Sequence, residues 1–155
     1  MYAPDTAAVA TSIGLMLIEA DGDRLTRIRL APAGEERAGS TAAVREAAAQ
    51  IAAYFAGRLR AFDLPLADAT TARGAVLRRA IVEVGYGDTA GYGELARRAG
   101  SSARALGQAC ARNPFPLVVP CHRVLQAGGR LGPYSAGEGQ TTKQWLLTHE
   151  GVRLP

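Results

Sequence analysis

The sequence predicts an α/β (α+β) fold: a small sheet-plus-helix domain over residues 1–66, then a mostly helical domain over residues 67–155. Three observations carry that expectation. An apolar stretch rich in strand formers folds back around Asp21-Gly22-Asp23, a turn signal. From residue 41 the apolar spacing changes to a helical period. Later, two short helical segments flank Gly100-Ser101-Ser102, which is the helix-turn-helix pattern. With 155 residues and 48% hydrophobic content, the chain buries one good core, or two small ones that share a face.

Taken in order, "TSIGLMLIEADGDRLTRIRL" (11–30) reads as a hairpin of two strands, and "APAGEERAGS" as a loop by composition. "TAAVREAAAQIAAYFAGR" (41–58) is an amphipathic helix with Val44, Ala47, Ala48, Ile51, Tyr54 and Phe55 on one face and Gly57 at its stop. "LRAFDLPLADATT" carries Pro65 and little periodicity, and reads as the connector. "ARGAVLRRAIVEVG" is a helix expected to bury Val76, Leu77, Ala80, Ile81 and Val84. The two short helices follow, then the apolar run "NPFPLVVP", expected as a strand closed by Pro120. "QAGGRLGPYSAGEGQ" is a glycine-rich loop, and "TTKQWLLTHEG" a closing helix with Gly151 past its end.

Composition narrows the class. A charged fraction of 21% and clear periodicities exclude disorder. No apolar run approaches the roughly 18–20 residues of a membrane span. "MYAPDTAAVA" has neither a basic start nor a long apolar block, so no signal peptide and a cytoplasmic location are expected. Cys110 and Cys121 are too few for a disulfide framework. With His122 and His149 they complete the Cys/His inventory, with no C-x-x-C or H-x-x-x-H pair, so neither metal nor cofactor is expected. Net charge is +4, and Lys143 is the one lysine among the basic residues. Arginine bias of this kind leaves nucleic-acid binding and a generic solvated surface equally open.

The second helix of the pair is unusual. With Leu106 at the centre of the buried face, Ala109 and Cys110 lie beside it, and Arg104, Ala105, Gly107, Gln108 and Ala111 face outward. Solvated helix faces usually carry long charged side chains. Small ones suit either close approach to another surface or packing on a neighbouring helix, and the pattern leaves both open.

Cys121-His122-Arg123 is the other anomaly. Thiol chemistry needs a thiolate, an imidazole can take the proton, and a carboxylate can hold the imidazole's tautomer. Neighbours on a regular strand point to opposite faces, so the backbone must turn at Pro120 or a water must bridge the two side chains. Glu150 is the carboxylate within reach if the last helix packs alongside. A Cys-His dipeptide alone favours a buried structural cysteine, and a cysteine hydrolase is a further alternative without a matching signature.

The longer stretches decide more. "NPFPLVVPCHRVL", "GGRLGPYSAG", "KQWLLTHEG" and "GDTAGYGELARRAGSSARALGQACARNP" closely resemble the O6-alkylguanine-DNA alkyltransferase family, from about residue 75 to 153. The first 66 residues resemble its N-terminal domain loosely, through "TSIGLMLIEADGDRLTRIRL". The resemblance implies a winged-helix-like C-terminal domain that transfers an alkyl group irreversibly from O6-alkylguanine, or O4-alkylthymine, in duplex DNA. It implies Cys121 as acceptor, His122 as base through a bridging water, Glu150 behind it, and Asn113 as brace of the turn. Tyr92 would press on the target phosphate and help protonate the leaving base. Ala103, Ala105, Gly107 and Gln108 would meet DNA in the minor groove, with Arg104 filling the gap left by the flipped base. Pro116, Val124, Tyr134 and Ser135 fall where the family lines its base pocket, and Lys143 at its edge.

The implied partner is double-stranded DNA, bound by a monomer able to cluster along it, with no membrane and no obligate protein partner. Departures from the family pattern are Arg73 and Arg78 at usually aromatic positions, Gly85 for proline, a shorter turn between the paired helices, and a loop at "AGEGQTTK" about two residues longer. Two other functions fit parts of the pattern. One is a lesion-binding protein without catalysis, and the other a helix-turn-helix regulator, which has no use for the Cys-His-Glu set.

Overall fold

The computed structural model describes residues 4–154, which form two compact units divided between Ala67 and Asp68. In the first, strands β1 (Asp5–Thr11), β2 (Gly14–Asp21) and β3 (Arg24–Ala31) form an antiparallel sheet in that order. The expected hairpin is β2–β3, closed at Asp21↔Arg24 with Gly22 at φ 60°. The sequence reading missed β1. "DTAAVAT" has few strand formers, yet Ala7, Ala8 and Val9 are buried once paired with β2, so ladder and packing outweigh propensity. Gly14, the first residue of β2, is obligatory: at φ 124°, a Cβ there would sit 2.4 Å from the Ala31 carbonyl oxygen.

Helix α1 (Ala42–Phe55) lays Val44, Ala47, Ile51 and Tyr54 on the sheet, as its periodicity predicts, while Ala48 and Phe55 are half-buried. Asp5 ties the start of β1 to the start of α1: its Oδ2 accepts from the backbone N–H groups of Ser40 and Thr41 at 2.9 and 2.6 Å. The expected connector is partly structured. Leu25 N–H donates to the Pro65 carbonyl and Ala67 N–H to the Leu25 carbonyl, which draws Ala67 into the first unit.

The second unit begins with α2 (Ala72–Val82), capped by the Thr71 hydroxyl, which accepts from Gly74 N–H at 2.9 Å. The core takes Leu77, Ile81 and Val84, but Ala80 is half-buried and Val76 is 47% exposed, contrary to the five-residue face expected. The buried stripe of α2 is narrower and lies where the helix packs on the next two helices. Helices α3 (Tyr92–Arg98) and α4 (Ala103–Ala111) form the helix-turn-helix around Gly100 at φ 63°.

"NPFPLVVP" is not a strand. Residues 113–120 run through successive turns, and Cys121–Arg123 form one turn of 3-10 helix. Pro114 and Pro116 bring no N–H to a ladder, and the Asn113 side chain takes up backbone groups that a sheet would have paired. Two-residue strands β4 (Ala90–Gly91) and β5 (Val124–Leu125) then pair in parallel and hold the start of α3 beside the Cys-His segment. Helix α5 (Gln140–His149) ends with Glu150 as its C-cap. Among the described residues, no helix is long and apolar enough to cross a membrane.

Ile51 is fully enclosed between α1 and the sheet. Truncating it (Ile51→Ala) is expected to lower unfolding free energy by about 2–5 kcal/mol, measured as a fall in the denaturant midpoint at unchanged slope. A loss within experimental error would mean that this helix face does not carry the first unit's core.

Candidate active site

The site grows from Asn113, just past the C-cap of α4. Its Nδ2 donates to the Val119 carbonyl at 2.9 Å, and its Oδ1 accepts from Phe115 N–H at 2.9 Å, so one side chain clamps both ends of the turn. The turn stores strain at Leu117, whose φ of 76° is unusual for a residue with a Cβ and costs about 1–3 kcal/mol. Leu117 is buried, so packing keeps it there. The second Asn113 amide proton points at Cys121 Sγ, 3.4 Å away.

Cys121 forms part of the wall of a cavity of about 220 Å³. Tyr92, Gly107, Cys110, Ala111, Pro133, Tyr134 and Ser135 complete the wall. The surface is almost entirely apolar. The neighbouring Cys110 thiol, and then burial, hold the Cys121 thiol well above its ordinary pKa. Asn113 and the Lys143 charge oppose this. At neutral pH Cys121 is a thiol that must lose its proton to react.

Behind Cys121 the 3-10 turn sends the His122 and Arg123 side chains to one carboxylate. His122 Nε2 lies 2.8 Å from Glu150 Oε2. Arg123 Nε donates to Oε1 at 2.8 Å, and its Nη2 to Oε2 at 3.1 Å, a two-pronged grip. Arg123 Nη1 donates to the Val84 carbonyl at 2.7 Å, anchoring the group to the end of α2. Both His122 and Glu150 are enclosed.

Paired with arginine, Glu150 is ionised and accepts the Nε2 proton of His122. Burial lowers the His122 pKa despite that carboxylate, so the ring is neutral. Its lone pair therefore lies on Nδ1, which is buried and without a hydrogen-bond partner among the described residues. A neutral imidazole with a free, enclosed acceptor nitrogen is a base ready to take one proton.

Of the other residues singled out in the sequence, Tyr92, Gly107, Tyr134 and Ser135 lie on the cavity wall with Cys121. Burial pushes the Tyr92 pKa up to about 12, so its phenol is a proton donor at neutral pH, and burial raises Tyr134 as well. Ser135 Oγ donates to the Cys110 carbonyl at 3.4 Å. Pro116 and Val124 are buried off that wall, and Val124 contributes its carbonyl to Lys143. Lys143 is fully buried, with Nζ donating to the Val124 and Pro133 carbonyls at 2.7 and 3.3 Å, 5.9 Å from the Tyr92 ring centre. Ala103, Arg104 and Gln108 are exposed on α4, Ala105 is half-buried, and none of the four lines the cavity.

Arg123 stands in the Cys-His motif with no role that the sequence points to, and the position of Cys110 beside Leu106 on the buried face of its helix points to packing. Pro133 was also missed, its glycine-rich loop carrying no pattern that points inward. Among the described residues, no three His, Cys, Asp or Glu side chains gather where they would hold a metal ion.

Residues 74–152, just over half of the chain, match the family model described as 6-O-methylguanine DNA methyltransferase, DNA binding domain. The chain belongs to the 6-O-methylguanine-DNA methyltransferase family. A methylated-DNA–protein-cysteine methyltransferase of Methanosarcina acetivorans is 44% identical over 109 residues, 69% of each chain. A DNA base-flipping protein of Thermus thermophilus is 44% identical over 148 residues, covering 92% of this chain and 97% of that one. The structure of a Mycobacterium tuberculosis OGT in complex with DNA is similar over 96% of this chain and 93% of its own, with a TM-score of 0.81 and 34% identity. Membership of the methyltransferase family and the mixed sheet-and-helix fold agree with what the Cys-His motif and its flanking stretches imply.

Burial lowers the Lys143 pKa from 10.5 to about 8. Between those values the unfolded chain keeps a proton that the folded chain has released, so this group makes the protein more stable as pH rises through the window. Below about 8 the cost of burying the charge is present in full. The unfolding free energy of wild type minus that of Lys143→Met should therefore grow between about pH 7 and about pH 10 in denaturant titrations. A flat difference would mean that Lys143 stays charged throughout.

Proposed function

We propose that this chain repairs duplex DNA by moving the alkyl group of O6-alkylguanine, or of O4-alkylthymine, onto Cys121 Sγ, once per molecule. One observation carries the reading above all: an enclosed, neutral His122, held by a Glu150 that Arg123 keeps ionised, stands next in the chain to a thiol on the wall of an apolar cavity. A purely structural cysteine needs none of these partners.

An alkyl group on a guanine oxygen is out of reach inside a stacked duplex, so the base turns out into the cavity at a cost of a few kcal/mol. Helix α4 enters the minor groove. Its small residues Ala103, Ala105 and Gly107 let the backbone come close, Gln108 lies along the contact, and the exposed Arg104 fills the gap in the stack. With the base in place, the Cys121 proton passes to His122 Nδ1, directly or through one water, and Glu150 steadies the imidazolium. The sulfur attacks the alkyl carbon: the C–S bond forms as the C–O bond breaks. The electron pair leaves with the base, which takes a proton from the Tyr92 phenol. Asn113 and Lys143 favour the thiolate as it develops. A thioether is a poor leaving group, so the acceptor is consumed.

The protein works as a monomer that can cluster along DNA, in the cytoplasm and at the nucleoid if the cell is prokaryotic. A second reading, lesion recognition without chemistry, is favoured by the likeness to the Thermus thermophilus DNA base-flipping protein. Against it stands Cys121 itself, on the cavity wall and next to the imidazole that would activate it.

Mixing the protein with a duplex that carries one O6-methylguanine, then measuring intact mass and mapping peptides, separates the two readings. The expected result is one methyl group on the Cys121 peptide with matching loss from DNA, whereas tight binding without a mass change supports recognition alone. Cys121→Ala should abolish transfer and keep lesion binding, and surviving repair would show that the acceptor is elsewhere. The methylated protein should melt below the free one, because the sulfur of a 4% exposed residue has little room for an added group. An unchanged or raised melting temperature would argue against that crowding.

A further inference from the structure

The proposed transfer uses one thiol, but the cavity holds two. Cys110, in the last turn of α4, and Cys121, in the 3-10 turn, are both free, both buried and both on the same wall. The two thiols are close enough for each to shift the other's pKa, Cys110 downward and Cys121 upward. They are also the only cysteines in the chain, so neither has another intramolecular thiol to pair with.

We propose that Cys110 and Cys121 are a reversible disulfide site, in which Cys110 captures Cys121 under oxidising conditions and releases it on reduction. The oxidant is a small peroxide that enters the cavity. Cys110 takes the first step, since the neighbouring Cys121 thiol lowers its pKa against the opposing effect of burial, and the Lys143 charge adds to the lowering.

The Cys110 thiolate attacks one peroxide oxygen, the O–O bond breaks, and the hydroxide released takes a proton to become water, leaving a sulfenic acid on Cys110. The Cys121 sulfur then attacks the Cys110 sulfur, the S–O bond breaks, and the second hydroxide leaves as water with the Cys121 proton. Two thiols have been oxidised and one peroxide reduced to two waters. An external dithiol reverses the change by exchange.

The consequence rests on the function proposed above. An acceptor used once cannot be regenerated by turnover, and oxidation of its sulfur beyond the sulfenic stage is irreversible. A neighbouring thiol that forms a disulfide first stops that progression and blocks the nucleophile only while oxidant persists.

The test treats the full chain with hydrogen peroxide, traps remaining thiols with iodoacetamide, and reads intact mass and peptides without reduction. The expected product has lost two hydrogens, carries no trapped thiol, and yields one cross-linked pair containing Cys110 and Cys121. Methyl transfer should fall to background and return after dithiothreitol. Cys110→Ser, or Cys110→Ala if the serine variant misfolds, should instead accumulate oxygen on Cys121 and lose its own untreated activity beyond rescue by dithiothreitol. Both thiols trapped after peroxide, or oxygen added to Cys121 with Cys110 still free in the wild type, would overturn the proposal. If the cross-link forms in a protein that never accepts methyl even when untreated, the disulfide site stands and the transfer reading fails.

Discussion

The carboxylate of Glu150 is the point on which the rest of the site depends. Three donors converge on it from two residues 27 and 28 positions earlier in the chain. A carboxylate with no exposed side-chain surface is tolerable only because Arg123 grips both its oxygens; removing one partner of such a buried pair typically costs about 3–5 kcal/mol. Arg123 also reaches the Val84 carbonyl, so the same guanidinium joins the end of α2, the 3-10 turn and the cap of α5. The tautomer of His122 follows from this arrangement. With Nε2–H committed to Glu150, the ring has one way to present its lone pair.

A second constraint acts from the other side. Asn113 closes the turn that carries Leu117 at positive φ, and its remaining amide proton reaches the Cys121 sulfur. The strain at Leu117 is offset by its burial and by the Asn113 bonds, so the turn holds one shape. The sulfur is thus fixed from the α4 side through Asn113, and the adjacent imidazole from the α5 side through Glu150. Geometry of this kind holds reacting groups in place beforehand.

The environment of the sulfur contains opposing influences. Burial and Cys110 keep Cys121 protonated, while Asn113 and Lys143 favour its charged form. A resting thiol with a base beside it is less open to stray electrophiles than a standing thiolate, and ionisation can await a base in the cavity. Lys143 contributes at a cost, since its ammonium is buried, with two carbonyls accepting its hydrogen bonds.

Much of this was legible in the residues themselves. Local spacing and turn residues determined the β2–β3 hairpin, the buried face of α1 and the helix-turn-helix, because each is a local pattern. The Cys121-His122 motif and its flanks determined the family. Tertiary structure decided the rest. Strand β1 exists through pairing that its alanines do not advertise, and "NPFPLVVP" became a turn because Asn113 satisfies backbone groups that a strand would have left to a ladder. Val76 faces outward, 47% exposed, because the packing of α2 on α3 and α4 leaves that side of the helix uncovered. Arg123, Cys110 and the burial of Lys143 gained their meaning from partners far along the chain, and periodicity carries no record of which distant groups will meet.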